Sequence, residues 1–469
     1  MKKIQIPEEL KKMNAIFESN GFEAYLVGGA VRDIILNKNA SDWDIATNAK
    51  PEEVISLFKK VIPTGIAHGT VTVHFMKKQI EVTTFRGETT YSDGRHPDKI
   101  YFASTIEEDL SRRDFTMNAI AASLHDGRII DPFDGRGDIE KKLIKTVGNP
   151  YERFMEDGLR PIRALRFSSQ LGFKIDSDTY STIFNQKVQQ KVNSISRERF
   201  RDEFLKIIKS SFPVESIKMM EETGILKLFI PELSECKGVS QKDARAYHVF
   251  DVFEHCLYAL EGAPKDNYMV RIAALFHDIG KKDTREIVIE QNPKNPLEQF
   301  EIIHFYKHEL YSAKKTATIL ARLKFSNAEI EKITHLVKEH MFHYEKVWSD
   351  SSIRKFIVRI GKENIEDLLK LNYADMYGKY RKAPGEKSAG IKNLIEFYER
   401  IKKVEEESTA LSIKDLKVNG NDLIKLGIMP GKKLGMILNE LFQCVLQDPK
   451  MNEKEILLNV VKKMENIGS

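Results

Sequence analysis

Residues 26–47 hold two short signals whose spacing constrains what this chain can fold into more than any other segment. The first is Leu26-Val27-Gly28-Gly29-Ala30-Val31-Arg32-Asp33, an apolar run that ends in a small-residue turn and passes into a basic helix start. The second is Ser41-Asp42-Trp43-Asp44-Ile45-Ala46-Thr47, within the reach of a single βα unit. In a strand, residues two apart point the same way, so Asp42 and Asp44 are expected to present two carboxylates on one face, at a spacing able to hold a pair of Mg²⁺ ions. Gly28 and Gly29 let backbone N–H groups approach an anion closely, and a helix beginning near Ala30 would aim its positive end at the same spot. Each half alone is a common surface motif. Together they predict a triphosphate held against two metals.

At 469 residues the chain has room for roughly two to four domains. Its 41% hydrophobic and 30% charged residues fit a soluble protein with real cores. The start, Met1-Lys2-Lys3-Ile4-Gln5-Ile6-Pro7, has no apolar h-region, and no apolar run approaches the ~18 residues of a span, so neither secretion nor a membrane segment is expected and the cytoplasm is. Cys236, Cys256 and Cys444 show no CxxC spacing and suit a reducing compartment. A net charge of +5 permits a nucleic-acid partner without demanding one.

Up to about residue 146, short β-branched segments such as Gly69-Thr70-Val71-Thr72-Val73-His74-Phe75 and Gln79-Ile80-Glu81-Val82-Thr83-Thr84-Phe85 alternate with helical patterns. From Tyr151 onward strand-like alternation largely vanishes and helical patterns run to the C-terminus. Breaks are expected at residues 211–213, at Pro231, at residues 292–296 and at residues 382–385. The expected class is α+β, with divisions at 1–150, 151–240, 241–385 and 386–469.

Two further constellations follow the first. Arg112-Arg113-Asp114-Phe115-Thr116-Met117-Asn118-Ala119 sets paired arginines, natural clamps for phosphate oxygens, before Asn118, which could reach a sugar hydroxyl or phosphate. Glu156-Asp157-Gly158-Leu159-Arg160-Pro161-Ile162-Arg163-Ala164-Leu165-Arg166-Phe167 places Asp157, Arg160 and Arg163 as a ladder on one helix, with Arg166 about 180° round from Asp157. An acceptor beside a fixed donor fork is what reading a base edge requires.

These motifs, with Asp131-Pro132-Phe133-Asp134-Gly135 between them, occur in one order that closely resembles the class II tRNA nucleotidyltransferases, which add CCA to tRNA 3′ ends, and their relatives the bacterial poly(A) polymerases. The resemblance covers nearly the whole chain. It implies a polymerase-β-like nucleotidyltransferase head with a small mixed β-sheet, then an all-α neck, an HD-type body and a tail. By that likeness Asp42 and Asp44 hold Mg²⁺, Gly28, Gly29 and Arg32 meet the triphosphate with support from Arg112 or Arg113, and Asn118 lies nearby. Asp157 and Arg160 would pair with the base of CTP or ATP, while Arg163 and Arg166 support phosphate or base. Glu81 is the candidate third carboxylate. The polar loop at residues 84–97 looks like the full-length loop of enzymes able to add the terminal A, which favours complete CCA addition over A-only addition or poly(A) synthesis. The likeness departs at Gly158, where family members often have Pro, and Pro161 removes one N–H from the ladder.

Eight of the twelve histidines lie between His248 and His343. His255, His277-Asp278, His304, His308, His340 and Asp375 follow an order that resembles HD-domain phosphohydrolases, whose helix-borne ligands face inward. By resemblance His255, His277, Asp278 and Asp375 hold one metal, and His308 and His340 could add a second, a divalent transition metal being the candidate ion. Hydrolysis of 2′,3′-cyclic or terminal phosphates on RNA ends would then accompany transfer. The rival class is a metal phosphohydrolase whose head only binds RNA. Lys432 and Lys433, at a helix start after Met429-Pro430-Gly431, suit a sequence-independent RNA phosphate contact. The expected partners are tRNA, CTP and ATP, with no membrane and no obligate protein partner.

Overall fold

The structure, a computed structural model, describes residues 3–40, 42–66, 69–88, 100–242, 249–292, 295–385, 388–408 and 410–465. The chain forms two compact units, Met1–Ser234 and Glu235–Ser469. Beyond Glu88 the loop at residues 84–97 lies outside the described residues, as do Ser41 and His248.

The first unit is built on strands β1 (Ala24–Val27), β2 (Asp44–Thr47), β3 (Val61–Gly65), β4 (Thr70–Phe75), β5 (Lys78–Thr84), β6 (Arg86–Glu88), β7 (Ile100–Phe102), β8 (Ala121–Ser123) and β9 (Ile129–Ile130). Seven of them make one sheet in the order β3-β4-β5-β2-β1-β8-β9, while β6 and β7 pair with each other. Within the large sheet β2 and β5 run parallel, which sets Asp44 level with Glu81, and the other neighbours are antiparallel. Side-chain alternation sends Leu26 and Ile45 into a core with Val71, Val73, Ile80 and Val82, and sends Tyr25, Val27 and Ala46 into another with Phe85 and Leu110. β1 is therefore buried on both faces, which is why it reads as an unbroken apolar run.

Six helices of this unit position the site: α1 (Gly29–Ile35), α2 (Ile106–Ser111), α3 (Pro150–Glu156), α4 (Leu159–Leu171), α5 (Gln186–Asn193) and α6 (Arg197–Ile208). Side chains of Thr105, Asn149, Asn185 and Ser196 cap α2, α3, α5 and α6 by accepting first-turn N–H groups. A two-residue parallel pair, β10 (Leu143–Ile144) with β11 (Lys174–Ile175), follows the large sheet.

The expected ladder is corrected at its start. Asp157 lies outside the helix, ending α3 in an extended conformation with φ −139° and ψ 112°, and α4 begins only after Gly158. Pro161 is the third residue of α4, where a backbone N–H has no intrahelical partner to lose. Gly158 has its own reason to lack a side chain: a Cβ there would stand 2.4 Å from the carbonyl oxygen of Lys191 in α5.

Two buried carboxylates tie α2, α4 and the segment between them. Asp109 accepts from Nε and NH2 of Arg112 on one oxygen, at 3.0 and 2.8 Å, and from Nε and NH2 of Arg113 on the other, at 3.3 and 3.0 Å. Asp114 accepts from Asn118 and, through its second oxygen, from Nε and NH2 of Arg163 at 2.8 and 2.6 Å. Burial would raise both acids, but Arg113 and Arg112 hold Asp109 at about 2, and Arg163 with Asn118 holds Asp114 at about 2.

Among its described residues the second unit is helical apart from one hairpin. Its bundle contains α7 (Val252–Gly262), α8 (Tyr268–Phe276), α9 (His308–Arg322), α10 (Asn327–Glu339) and α11 (Lys362–Tyr380). The hairpin pairs β12 (Arg285–Asn292) with β13 (Asn295–Phe305) antiparallel, with Ile287 opposite Ile303. This corrects the expectation of an all-α body, as β11 does for the neck: the Pro-rich break at residues 292–296 separates two strands, and the β-branched residues on either side of it favour that pairing. Leu423, Leu441, Phe442, Val445, Leu457 and Val461 form a separate tail core. Among the described residues no helix is long and apolar enough to cross a membrane.

Two outcomes follow from this packing. Gly158→Ala should destabilise the first unit by about 1–3 kcal/mol, because the methyl would run into the backbone of Lys191 and Val192, as denaturant unfolding will measure. Asp109 and Asp114 have folded values below their unfolded ones, so their contribution is complete above pH ~5 and disappears as pH falls from about 4 toward 2. Each should contribute about 2 kcal/mol at neutral pH, and Asp109→Asn should flatten the acid limb of unfolding free energy against pH.

Candidate functional site

A cavity of about 670 Å³ opens in the first unit, and it gathers Gly28, Gly29, Arg32, Asp42, Asp44, Arg112, Arg113, Asn118, Asp157, Arg160, Arg163 and Arg166. These are the transferase residues singled out from the sequence except Glu81, which sits opposite Asp44 on β5 and does not line the cavity. Asp33, Asp114, Arg199, Lys206 and Phe167 also line it, so that eight basic and five acidic side chains share the space.

Gly28 joins β1 to α1 with φ +69°, a conformation that L side chains rarely adopt. A Cβ there would come within 3.1 Å of Arg113 NH1 and 3.7 Å of Asp44 Oδ2, so the bare backbone leaves room where a carboxylate and a guanidinium approach each other. Asp44 opens β2, whereas Asp42 lies exposed ahead of the strand, which corrects the expectation that both belong to it. Burial, together with the charges of Glu81 and Asp42, pushes Asp44 up to about 6 against the pull of Arg113. Crowded carboxylates that resist ionisation this way are suited to divalent cations.

Arg32 donates through Nε and NH2 to Asp33, and through NH1 to the Asn118 oxygen at 2.8 Å. Asn118 in turn donates to Asp114, which accepts from Arg163, so one chain of hydrogen bonds links α1 to α4. Arg160 donates to the Arg153 and Arg112 carbonyls and to Glu156, the last at 2.5 Å. Asp157 accepts from the Leu159 N–H at 2.9 Å and from Arg199 at 2.8 Å. Arg166 pairs with Glu203 at 2.8 Å, and Lys206 pairs with the same carboxylate.

The sequence reading assigned no role to Asp109, Asp114, Arg199, Lys206 or Phe167. Asp109 stands three and four residues before Arg112 and Arg113, a helical spacing that could have revealed it. Arg199 meets Asp157 across 42 residues of chain, and no local pattern announces that contact.

In the second unit, His255 from α7 and His277-Asp278, just past α8, bring ligand atoms together, and Asp278 is shared with a second group containing His308 and His340. His255 Nε2 lies 3.1 Å from His277 Nε2, 3.2 Å from Asp278 Oδ2 and 3.1 Å from Asp375 Oδ1. His308 and His340 face the other oxygen of Asp278 at 3.1 and 3.7 Å. Nδ1 of His277, His308 and His340 each meets a backbone carbonyl, of Ala274, Phe305 and Val337, at 2.8, 2.8 and 2.7 Å. Protonation at Nδ1 leaves each Nε2 lone pair aimed at the cluster, the arrangement metal-binding histidines use. Burial disfavours a charged His277, yet Asp278 and Asp375 push it up to about 10, while burial lowers His340. The carboxylates thus call for a cation in their midst. Lys281 also reaches Asp278, at 2.6 Å, and Lys379 reaches Asp375. His304 is elsewhere, stacked on Tyr306 in the hairpin segment.

Lys432 and Lys433 open the helix Lys432–Gln447, both exposed, but Lys433 is engaged by Glu465.

A family model described as the poly A polymerase head domain matches residues 24–145, one described as the probable RNA and SrmB-binding site of polymerase A matches residues 172–237, and a tRNA nucleotidyltransferase domain 2 model matches residues 303–461. The chain is 33% identical to the CCA-adding enzyme of Ligilactobacillus salivarius over 98% of both proteins. It is 32% identical to that of Enterococcus faecalis over 100% of this chain and 99% of the other. Among solved structures, the Bacillus stearothermophilus CCA-adding enzyme in complex with CTP aligns with a TM-score of 0.72 at 26% identity, over 98% of each chain. A poly A polymerase-type head, a matching second domain and end-to-end likeness at this identity have one meaning: the chain belongs to the CCA-adding enzyme family of tRNA nucleotidyltransferases.

Proposed function

We propose that this protein adds CCA to tRNA 3′ ends from CTP and ATP. The observation that carries the reading is the union, in one cavity, of Asp42 and Asp44 with a fan of arginines and with the Asp157–Arg160 pair. Asp42 and Asp44, with Glu81 as the third carboxylate, would hold Mg²⁺, which supplies charge neutralisation at the attacked phosphate and the departing pyrophosphate. Arg32, Arg112, Arg113, Arg163 and Arg166 orient the triphosphate, and because their counter-ions already fix them, they need little rearrangement when it arrives. Catalysis then rests on positioning the tRNA hydroxyl in line with the α-phosphate. Asp157 keeps acceptor capacity after its bonds to Leu159 and Arg199, and Arg160 keeps two N–H groups, so the pair can present one acceptor and one donor to a base edge. Lys432 and Lys433 would add backbone contacts to tRNA. A cytoplasmic enzyme with reduced cysteines suits these substrates.

A second reading is favoured by the shared carboxylate of Asp278. We infer that His255, His277, Asp278 and Asp375 hold one divalent transition metal, that His308 and His340 complete a second position, and that this HD-type centre hydrolyses 2′,3′-cyclic or terminal phosphates on RNA ends.

Purified protein, given a tRNA transcript ending at its discriminator base with Mg²⁺, CTP and ATP, should incorporate two C and one A. Addition of A only to tRNA already ending in CC would instead make it an A-adding enzyme, and no incorporation would overturn the proposal. Asp42→Ala should reduce incorporation by roughly a thousandfold or more while leaving tRNA affinity within about twofold. For the second centre, His277→Ala should keep incorporation, lose bound metal by elemental analysis and lose release of phosphate from RNA ends. Persistence of that hydrolysis would remove the cluster from consideration.

A further inference from the structure

Three of the cavity's arginines converge on one aromatic ring. The guanidinium carbons of Arg166, Arg32 and Arg163 lie 3.6, 5.2 and 5.4 Å from the centroid of Phe167. Arg32 arrives from α1, and the other two belong to α4 with the ring itself. Phe167 is only 4% exposed, and Phe115 meets it edge-on, with centroids 5.7 Å apart and an interplanar angle of 84°.

Each of these arginines already has a carboxylate partner, in Asp33, Asp114 or Glu203. These carboxylates offset part of the repulsion and fix where each guanidinium directs its N–H groups, but the three are separate acids and none of them sits where the three cations converge. Their mutual repulsion is present: Arg163 and Arg32 both disfavour the charge on Arg166. A further acid at the point of convergence would hold them, yet it would also repel a triphosphate. The face of an aromatic ring attracts cations and carries no net charge, so it gathers the guanidiniums without cancelling the field that an anion feels.

We propose that Phe167 is a positioning residue for nucleotidyl transfer, a neutral pivot that assembles Arg32, Arg163 and Arg166 into one polyphosphate-binding group. The proposal rests on reading the first-unit cavity as the nucleotide site. Since the ring acts on the phosphate side, it serves every nucleoside triphosphate alike and does not choose the base.

The test compares wild type, Phe167→Leu, Phe167→Met and Phe167→Tyr by calorimetric Kd for CTP and ATP with Mg²⁺, by KM and kcat of single-nucleotide incorporation, and by far-ultraviolet circular dichroism. Leu and Met fill similar volume without a π face. Both should weaken CTP and ATP by the same factor of about ten, with KM affected more than kcat and the fold retained. Tyr restores the π face and should bind within about threefold of wild type. Unaltered Kd in the Leu and Met proteins would overturn the proposal, as would a loss in Tyr equal to that in Leu, which would mean packing alone, or unequal losses for CTP and ATP, which would mean base recognition. If wild type binds neither nucleotide, the cavity reading itself fails, a result distinct from each of these.

Discussion

Eight basic side chains share one cavity, and their mutual repulsion is the constraint that the architecture of the first unit answers. Two unit charges about 5 Å apart, at the effective dielectric of a protein surface, repel by roughly 3 kcal/mol, so such a group does not assemble unaided. The chain meets this with carboxylates that each serve two cations: Asp109 takes Arg112 and Arg113, Glu156 takes Arg153 and Arg160, and Glu203 takes Arg166 and Lys206. One acid for two bases holds the side chains in place and still leaves positive charge to spare. A site so arranged is attractive to a polyphosphate before any ligand is present, and the order needed for binding is supplied by folding.

That arrangement explains which parts of the site could be read from the sequence. Arg112-Arg113, Asp42-x-Asp44 and Gly28-Gly29 are local, and their residue types suffice to suggest phosphate and metal chemistry. The strands around them were legible for the same reason, since β4 and β5 carry the alternation of a sheet and β1 the continuous apolar run of a strand buried on both faces. The partners that make the arginines usable were not. Asp114 meets Arg163 across 49 residues and Asp157 meets Arg199 across 42, and neither distance leaves a trace in local spacing. The start of the ladder also escaped, because the break at Asp157 is imposed by the close approach of Gly158 to the backbone of α5 rather than by a strong helix stop.

The second unit shows the converse. Its histidines were legible as a candidate metal-binding set because such sites need rare residue types, yet their tautomers depend on backbone carbonyls that no sequence pattern marks. Each of those carbonyls belongs to the residue three positions before its histidine, Ala274, Phe305 and Val337, so a chain entering or leaving a helical turn orients its own imidazole. Periodicity misled at the hairpin instead. Residues 285–305 interrupt a helical body, and a Pro-rich break looks the same whether it parts two helices or two strands.

The junction of α3, α4, α5 and α6 gives base reading a different physical basis from phosphate binding. The arginine fan is built on ion pairs and, as the proposed phosphate site, would take any nucleotide that carries the charge. Asp157 and Arg160, as proposed readers of the base, lean on backbone: Asp157 accepts from the N–H of Leu159, and Arg160, besides its ion pair with Glu156, donates to the carbonyls of Arg112 and Arg153. Gly158 lies between them with α5 pressed against it, so the angle between acceptor and donor is inherited from helix packing. Arg199 from α6 adds the one side-chain restraint that reaches Asp157 from outside the turn. A small shift of α5 would therefore turn the Asp157 acceptor, whereas a shift of α6 would also move Glu203, the partner of Arg166. If these residues bind as proposed, such a division lets the grip on the triphosphate stay constant while the choice of base is set by helix packing at the junction.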